Sequence, residues 1–166
     1  MTKTRCGCWW KRNVCRPLRA LTWLVLLCAI GWAFYAGLEA EGAIRPNVPV
    51  ILRSPEWVLC TVPEGEAIFL TSLGTTRQGL AQPGQTQLDC FRSQPESAAY
   101  PKLNTLMMSV DALLPGVDTG QLEAWSPDTR TPLGRAGKWL LYVQTLAGWA
   151  LSLLAVAGFT GIVKSR

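Results

Sequence analysis

Two stretches of the chain, residues 20–38 and 139–163, are almost wholly apolar and hold no Asp, Glu, Lys or Arg. Each exceeds the ~18 uncharged residues that mark a membrane-crossing helix, because a helix rising about 1.5 Å per residue needs roughly 20 to cover the hydrocarbon. Both therefore predict transmembrane helices. A core helix of a soluble domain is shorter and keeps a polar face. A cleaved leader has an apolar region of only ~7–15 residues and a small-residue cleavage site, which does not follow residue 38, so the first block reads as an uncleaved anchor.

Between the spans the pattern changes. Residues 39–100 are rich in Pro, Gly, Ser, Thr and Gln, with β-like runs at 48–52 and 67–73 and a minor core expected from Trp57, Val58, Leu59, Ile68, Phe69 and Leu70. Residues 103–114 then place Leu103, Leu106, Met107, Val110, Leu113 and Leu114 on one helical face. Pro115 and Gly116 end that helix, and residues 117–120 form a compact turn with Asp118. The helix is too short to cross a bilayer. It lies on the surface, packs on the external segment, or dips into the lipid as a re-entrant element.

The expected fold class is a mainly α membrane protein, with two transmembrane helices, a short amphipathic helix and an irregular extracytoplasmic segment. The divisions are a basic tail at 1–19, spans at 20–38 and 139–163, a loop-rich subdomain at 39–100, the short helix and turn at 101–137, and an end at 164–166. Pro17 suits the first turn of the first span.

Charge sets the orientation. Lys3, Arg5, Lys11, Arg12, Arg16 and Arg19 precede the first span and Lys164 and Arg166 follow the second, while all eleven acidic residues fall between. Basic flanks stay inside, so both termini are expected in the cytoplasm. The net charge of +5 follows from that topology and gives no ground for nucleic-acid binding. The expected partners are the bilayer itself and a second copy or another membrane or cytoplasmic protein.

Cysteine usage divides along the same line. Cys6, Cys8 and Cys15 face the reducing side and Cys28 lies in a span, whereas Cys60 and Cys90 fall in the oxidising compartment and are a candidate disulfide, which spacing alone does not establish. The Cys6-Gly7-Cys8 motif lacks further ligands, and the chain has no His, so no metal site or cofactor is expected. The same absence removes Ser-His and Cys-His nucleophile pairs, and an enzyme is not expected. In the second span Gly148, Ser152, Ala155 and Gly158 recur near four-residue spacing, a face on which helices approach closely, and Gln144 and Thr145 offer polar groups near its outer end.

One ordered series of residues resembles the C-terminal transmembrane hairpin of bacterial membrane proteins, many of which carry pentapeptide repeats in a preceding cytoplasmic region. The matches are Arg16, Pro17, Arg19, Ala20, Leu21 and Trp23; Tyr100, Pro101 and Asn104; Ser109 through Asp118 and Gln121; Trp125 and Pro127; and Gly148, Trp149, Leu151, Val156, Ala157 and Gly158. The resemblance covers nearly all of the chain from Cys15 onward and implies a multi-pass inner-membrane protein. The repeat region of longer relatives is expected from a separate partner or not at all.

A looser likeness is to the pore module of two-span potassium channels, which has the same order of outer span, turret, short helix, loop and inner span. Thr131 through Arg135 is similar to the stretch that follows such a filter. However, residues 114–118 lack the Thr-Val-Gly-Tyr-Gly run, so potassium selectivity is not expected. The function expected first is a non-enzymatic membrane interaction or anchoring module. The alternative is a pore in which Asp111, Pro115, Gly116 and Asp118 form the pore turn, with the aspartates supplying a negative ring in an oligomer.

Overall fold

The computed structural model describes residues 7–71 and 73–159, with side chains placed for 20–71 and 73–156. Helix α1, Gly7–Ala40, contains the first apolar block. It begins well before Pro17, so that proline sits inside the helix and not in its first turn. A proline removes one bond to the preceding turn, and here the helix continues through it. Its end is set by Gly42, whose φ of 61° is a left-handed conformation that glycine adopts without strain, and Ala43 N–H then donates back to Leu38 O at 2.8 Å.

The chain leaves α1 through strand β1, Ile44–Pro46, followed by the short helices α2, Pro49–Leu52, and α3, Pro55–Val58, and a 3-10 turn at Leu59–Thr61. The run at 48–52 is therefore helical, where the pattern of apolar residues reads as a strand. Pro49 fixes the first helical φ and has no N–H to give a ladder. Strands β2, Ala67–Leu70, and β3, Thr75–Gln78, form an antiparallel hairpin. Helix α4, Gln87–Ser93, follows Thr86, whose hydroxyl caps Asp89 N–H.

A second 3-10 turn, Pro95–Ala99, leads to helix α5, Thr105–Leu113. Helix α6, Gln121–Ala124, runs into strand β4, Trp125–Pro127, which pairs antiparallel with β1 in the register Ile44 to Pro127 and Pro46 to Trp125. Helix α7, Pro132–Phe159, starts before the apolar block it contains, so residues 132–137 belong to the helix and not to a link. Thr131 caps it: the hydroxyl accepts Gly134 N–H at 3.0 Å with Pro132 at the first helical position. Gly134 is required there, because a Cβ would lie 2.0 Å from Asp128 O.

The external core is built on Trp57, Leu59, Leu88 and Phe91 around the Cys60–Cys90 disulfide. Rings of Trp57, Phe91, Tyr100 and Trp125 meet edge to face in series, with centroids 5.5, 6.1 and 5.1 Å apart. Of the expected minor core, Trp57, Leu59 and Leu70 are buried. Phe69 is 62% exposed and Ile68 and Val58 are half-buried, because the two-stranded hairpin has nothing packed on its outer face.

Helices α1 and α7 pack antiparallel, and both are long and apolar enough to cross a membrane, yet only 22% of the first apolar window and 17% of the second are buried. A soluble core helix would be mostly covered. Trp23, Val25 and Ile30 on α1 and Trp139, Leu146 and Leu153 on α7 are all exposed.

Asp128 joins the external segment to α7. Its N–H donates to Ala43 O, and its carboxylate accepts bonds from Arg130 N, Nε and Nη2. Burial pushes the Asp128 pKa up, but the Arg130 hydrogen bonds and charge outweigh it and hold the carboxyl below the ordinary carboxylate range. A folded value below the unfolded one stabilises fully above about pH 4 and is lost as pH falls through the folded value. Asp128→Asn is expected to lower the melting temperature at neutral pH and to flatten its dependence on acid below about pH 4, followed by near-ultraviolet circular dichroism. Reduction of Cys60–Cys90, which are 30 residues apart, should cost the segment between the two long helices about 3.6 kcal/mol by the loop-entropy relation. Without reductant neither thiol should take an alkylating label, and labelling of both would contradict the pairing.

Candidate interaction site

Helix α5 lies in the cleft between α1 and α7. Asn104 starts it, its side-chain oxygen accepting Leu106 N–H and Met107 N–H at 3.1 and 3.2 Å. The face turned inward is Thr105, Met108, Ser109, Ala112 and Leu113, all buried. It is not the apolar face that periodicity places at Leu103, Leu106, Met107, Val110, Leu113 and Leu114, of which Leu113 alone is buried. Leu106 is exposed and Met107, Val110 and Leu114 are only half-buried. Small and hydroxyl side chains face inward because they let α5 approach two neighbouring backbones, and the larger apolar ones are left outside.

Two glycines make that approach. A Cβ on Gly31 of α1 would lie 2.0 Å from Gln144 Nε2 and 2.4 Å from Ser109 Oγ, and one on Gly148 of α7 would lie 1.7 Å from Leu113 O. Gly31 uncovers the α1 carbonyls of the preceding turn. Gln144 Nε2 donates to Leu27 O at 3.0 Å and to Ser109 Oγ at 3.2 Å, while Ser109 Oγ donates to Cys28 O at 2.9 Å. Tyr35 Oη closes the network by donating to Gln144 Oε1 at 2.8 Å. Both N–H donors of this buried amide, and its carbonyl oxygen, thereby have partners. Thr145, by contrast, bonds only Leu141 O in its own helix.

The network fixes how far α5 reaches. Gly137 packs against Leu38 at the end of α1, and Gly148 lies about three turns further along α7, roughly 16 Å at 1.5 Å per residue. Leu113 O meets Gly148, so α5 ends about halfway along the apolar helices.

The chain then turns back beside α5. Gly116 and Gly120 adopt φ of 88° and 74°. The Asp111 carboxylate accepts Thr119 N–H at 2.8 Å and Gln121 N–H at 3.0 Å, and Asp118 Oδ1 accepts Gly120 N–H at 2.8 Å. Gln121 Oε1 in turn takes Asn104 N–H at 2.9 Å. Asp111 and Asp118 therefore staple the return limb, a local role that their seven-residue spacing does not reveal. Gly116, Val117, Asp118 and Thr119 are exposed, and Pro115 is half-buried. Among the described residues no N–H or hydroxyl donates to the carbonyls of residues 115–119.

The small-residue face of α7 is occupied within the chain. Gly148 sits against α5, Ala155 is buried and Ser152 half-buried; the surroundings of Gly158 lie outside the described residues. Tyr35, Gly31 and Ser109 escape a sequence reading, although a lone amide such as Gln144 in an apolar helix signals that partners exist. No protein-family model, no curated protein and no solved structure matches the chain.

Gly31→Ala is expected to destabilise the fold by about 1–3 kcal/mol, because the methyl displaces the Gln144 amide. Gly37→Ala, on the same helix with nothing within 4 Å of the new Cβ, should be near neutral. Gln144→Leu should cost about 1–2 kcal/mol. Thermal unfolding in detergent distinguishes the three, and equal effects for Gly31 and Gly37 would contradict the packing.

Proposed function

We propose that the chain is a two-span membrane interaction module, with α1 and α7 across the bilayer, both termini in the cytoplasm, and the return limb 115–120 as the surface through which it assembles. The observation that carries this reading is the exposed, irregular return limb with unpaired carbonyls beside the midpoint of α7. Hydrocarbon about 30 Å thick supplies no donors, so backbone of this kind at that depth is tolerated only against protein or water. The outward apolar face of α5 agrees, since Leu106 is 37% exposed where a water-facing helix would carry a polar residue. Assembly through Gly148 is not part of the reading, because α5 already fills that position. A bacterial inner membrane is the proposed location on the resemblance of residues 100–128 and the flanking spans.

The second reading, a pore, is favoured by the charge of the hairpin 105–120. Asp111 and Asp118 are the charged residues of 105–120, with no Lys or Arg between Lys102 and Arg130, and the negative end of α5 points toward the hairpin's tip. A water-lined axis between copies would attract cations.

A single cysteine at Val117, placed in a background lacking the native free thiols, tests the first reading in membranes. Protection from a membrane-impermeant maleimide in the assembled protein, lost on dispersal in detergent, is expected. Equal labelling in both states would oppose an assembly surface there. For the second reading, vesicles holding the purified protein should pass monovalent cations, and Asp118→Asn, which keeps the oxygen that Gly120 needs, should lower that flux at least roughly twofold. Flux indifferent to both aspartates removes the pore.

A further inference from the structure

Two cations near the start of α7, Arg45 and Lys138, take part in no ion pair among the described residues. Arg45 stands directly opposite Ser126 in the β1–β4 register, so their side chains share one face of the ladder. Lys138 reaches the same face from α7, its Nζ 3.5 Å from Ser126 Oγ and 5.7 Å from the centre of the Tyr142 ring. Arg45 Nε is buried and has no hydrogen-bond partner. Among the described residues the ion pairs are Arg92 with Glu39 and Arg130 with Asp128, which leaves Arg45 and Lys138 without a carboxylate. Asp128, the acidic group whose field Arg45 feels, is held by Arg130.

Removing a guanidinium nitrogen from water without an acceptor is costly, and a second cation on the same face of the ladder adds positive charge. A bound anion offsets both. A phosphate matches the donors: the planar fork of Arg45 pairs with two oxygens, the compact charge of Lys138 with another, and the Ser126 hydroxyl completes the set. Trp139, 71% exposed, and Tyr142, 50% exposed, meet edge to face at 6.0 Å one turn along α7. Such rings favour the headgroup layer, which would bring lipid phosphate to this level.

We propose that Arg45, Ser126 and Lys138 form a binding site for a phosphate-bearing anion, drawn from a lipid headgroup or from soluble phosphate. The lipid source rests on the proposal that α7 crosses the bilayer, whereas the site itself does not.

Native mass spectrometry of the full-length protein in detergent, with phosphatidylglycerol or inorganic phosphate as the probe, tests this. Wild type is expected to retain one of the two, and Lys138→Gln and Arg45→Gln are each expected to lower its occupancy roughly tenfold. Retained phosphatidylglycerol that inorganic phosphate does not displace identifies the lipid source, and variant-sensitive binding of inorganic phosphate alone identifies the soluble one. Absence of both, or equal binding by wild type and the half-exposed Lys138→Gln variant, overturns the site. Carbonate extraction runs in parallel: release from membranes with phosphate binding intact rejects the spanning helices and leaves the site standing.

Discussion

A polar group withdrawn from water must find a hydrogen-bond partner, and in this chain Gln144 is where that demand is met. Its amide faces an apolar helix, so its bonds to Leu27 O, Ser109 and Tyr35 position three helices relative to one another. In an apolar environment the bond count matters more than bond strength: a helix pair held by side-chain packing alone can slide, whereas an amide bonded to named atoms has one register. Gly31 is the geometric condition for the network, since any side chain there occupies the space of the amide. Gly148 does the same for the end of α5.

From that anchor the rest follows in sequence. With α5 fixed in the cleft, Asp111 can reach Thr119 and Gln121, which turns the chain back along α5. Gln121 then ties the limb to Asn104, and β4 returns to pair with β1 just beyond the end of α1. The disulfide and the line of aromatic rings, from Trp57 to Trp125, pack in one buried cluster with Tyr35 and Leu38 of α1 and Met108 of α5. The aromatic, cross-linked packing and the polar network among the helices therefore meet at Tyr35, which belongs to both.

The long helices were legible in the sequence because a charge-free block of this length has few other fates, and the end of α5 was marked by Pro115 with Gly116, whereas its Asn104 cap went unread. The face of α5 was not. Periodicity reports which residues lie together and not which of them pack; Ser109 and Ala112 pack against α1 and α7 because small side chains permit close approach, while Leu106 does not. Residues 48–52 misled for a different reason, since β-branched composition favours a strand but Pro49 cannot supply the ladder bond. The roles of Asp111 and Asp118 depend on a turn whose return path only the folded chain defines.

The proposed function requires α5 to lie within the bilayer, with Leu106 toward lipid and the return limb toward a partner. A nitroxide at Leu106→Cys in reconstituted vesicles measures this most directly, through its collision rates with oxygen and with a water-soluble nickel chelate. High oxygen and low nickel accessibility, unlike a control label at Leu73 on the exposed hairpin, is the predicted result. Nickel accessibility at Leu106 equal to that at Leu73 would contradict the account.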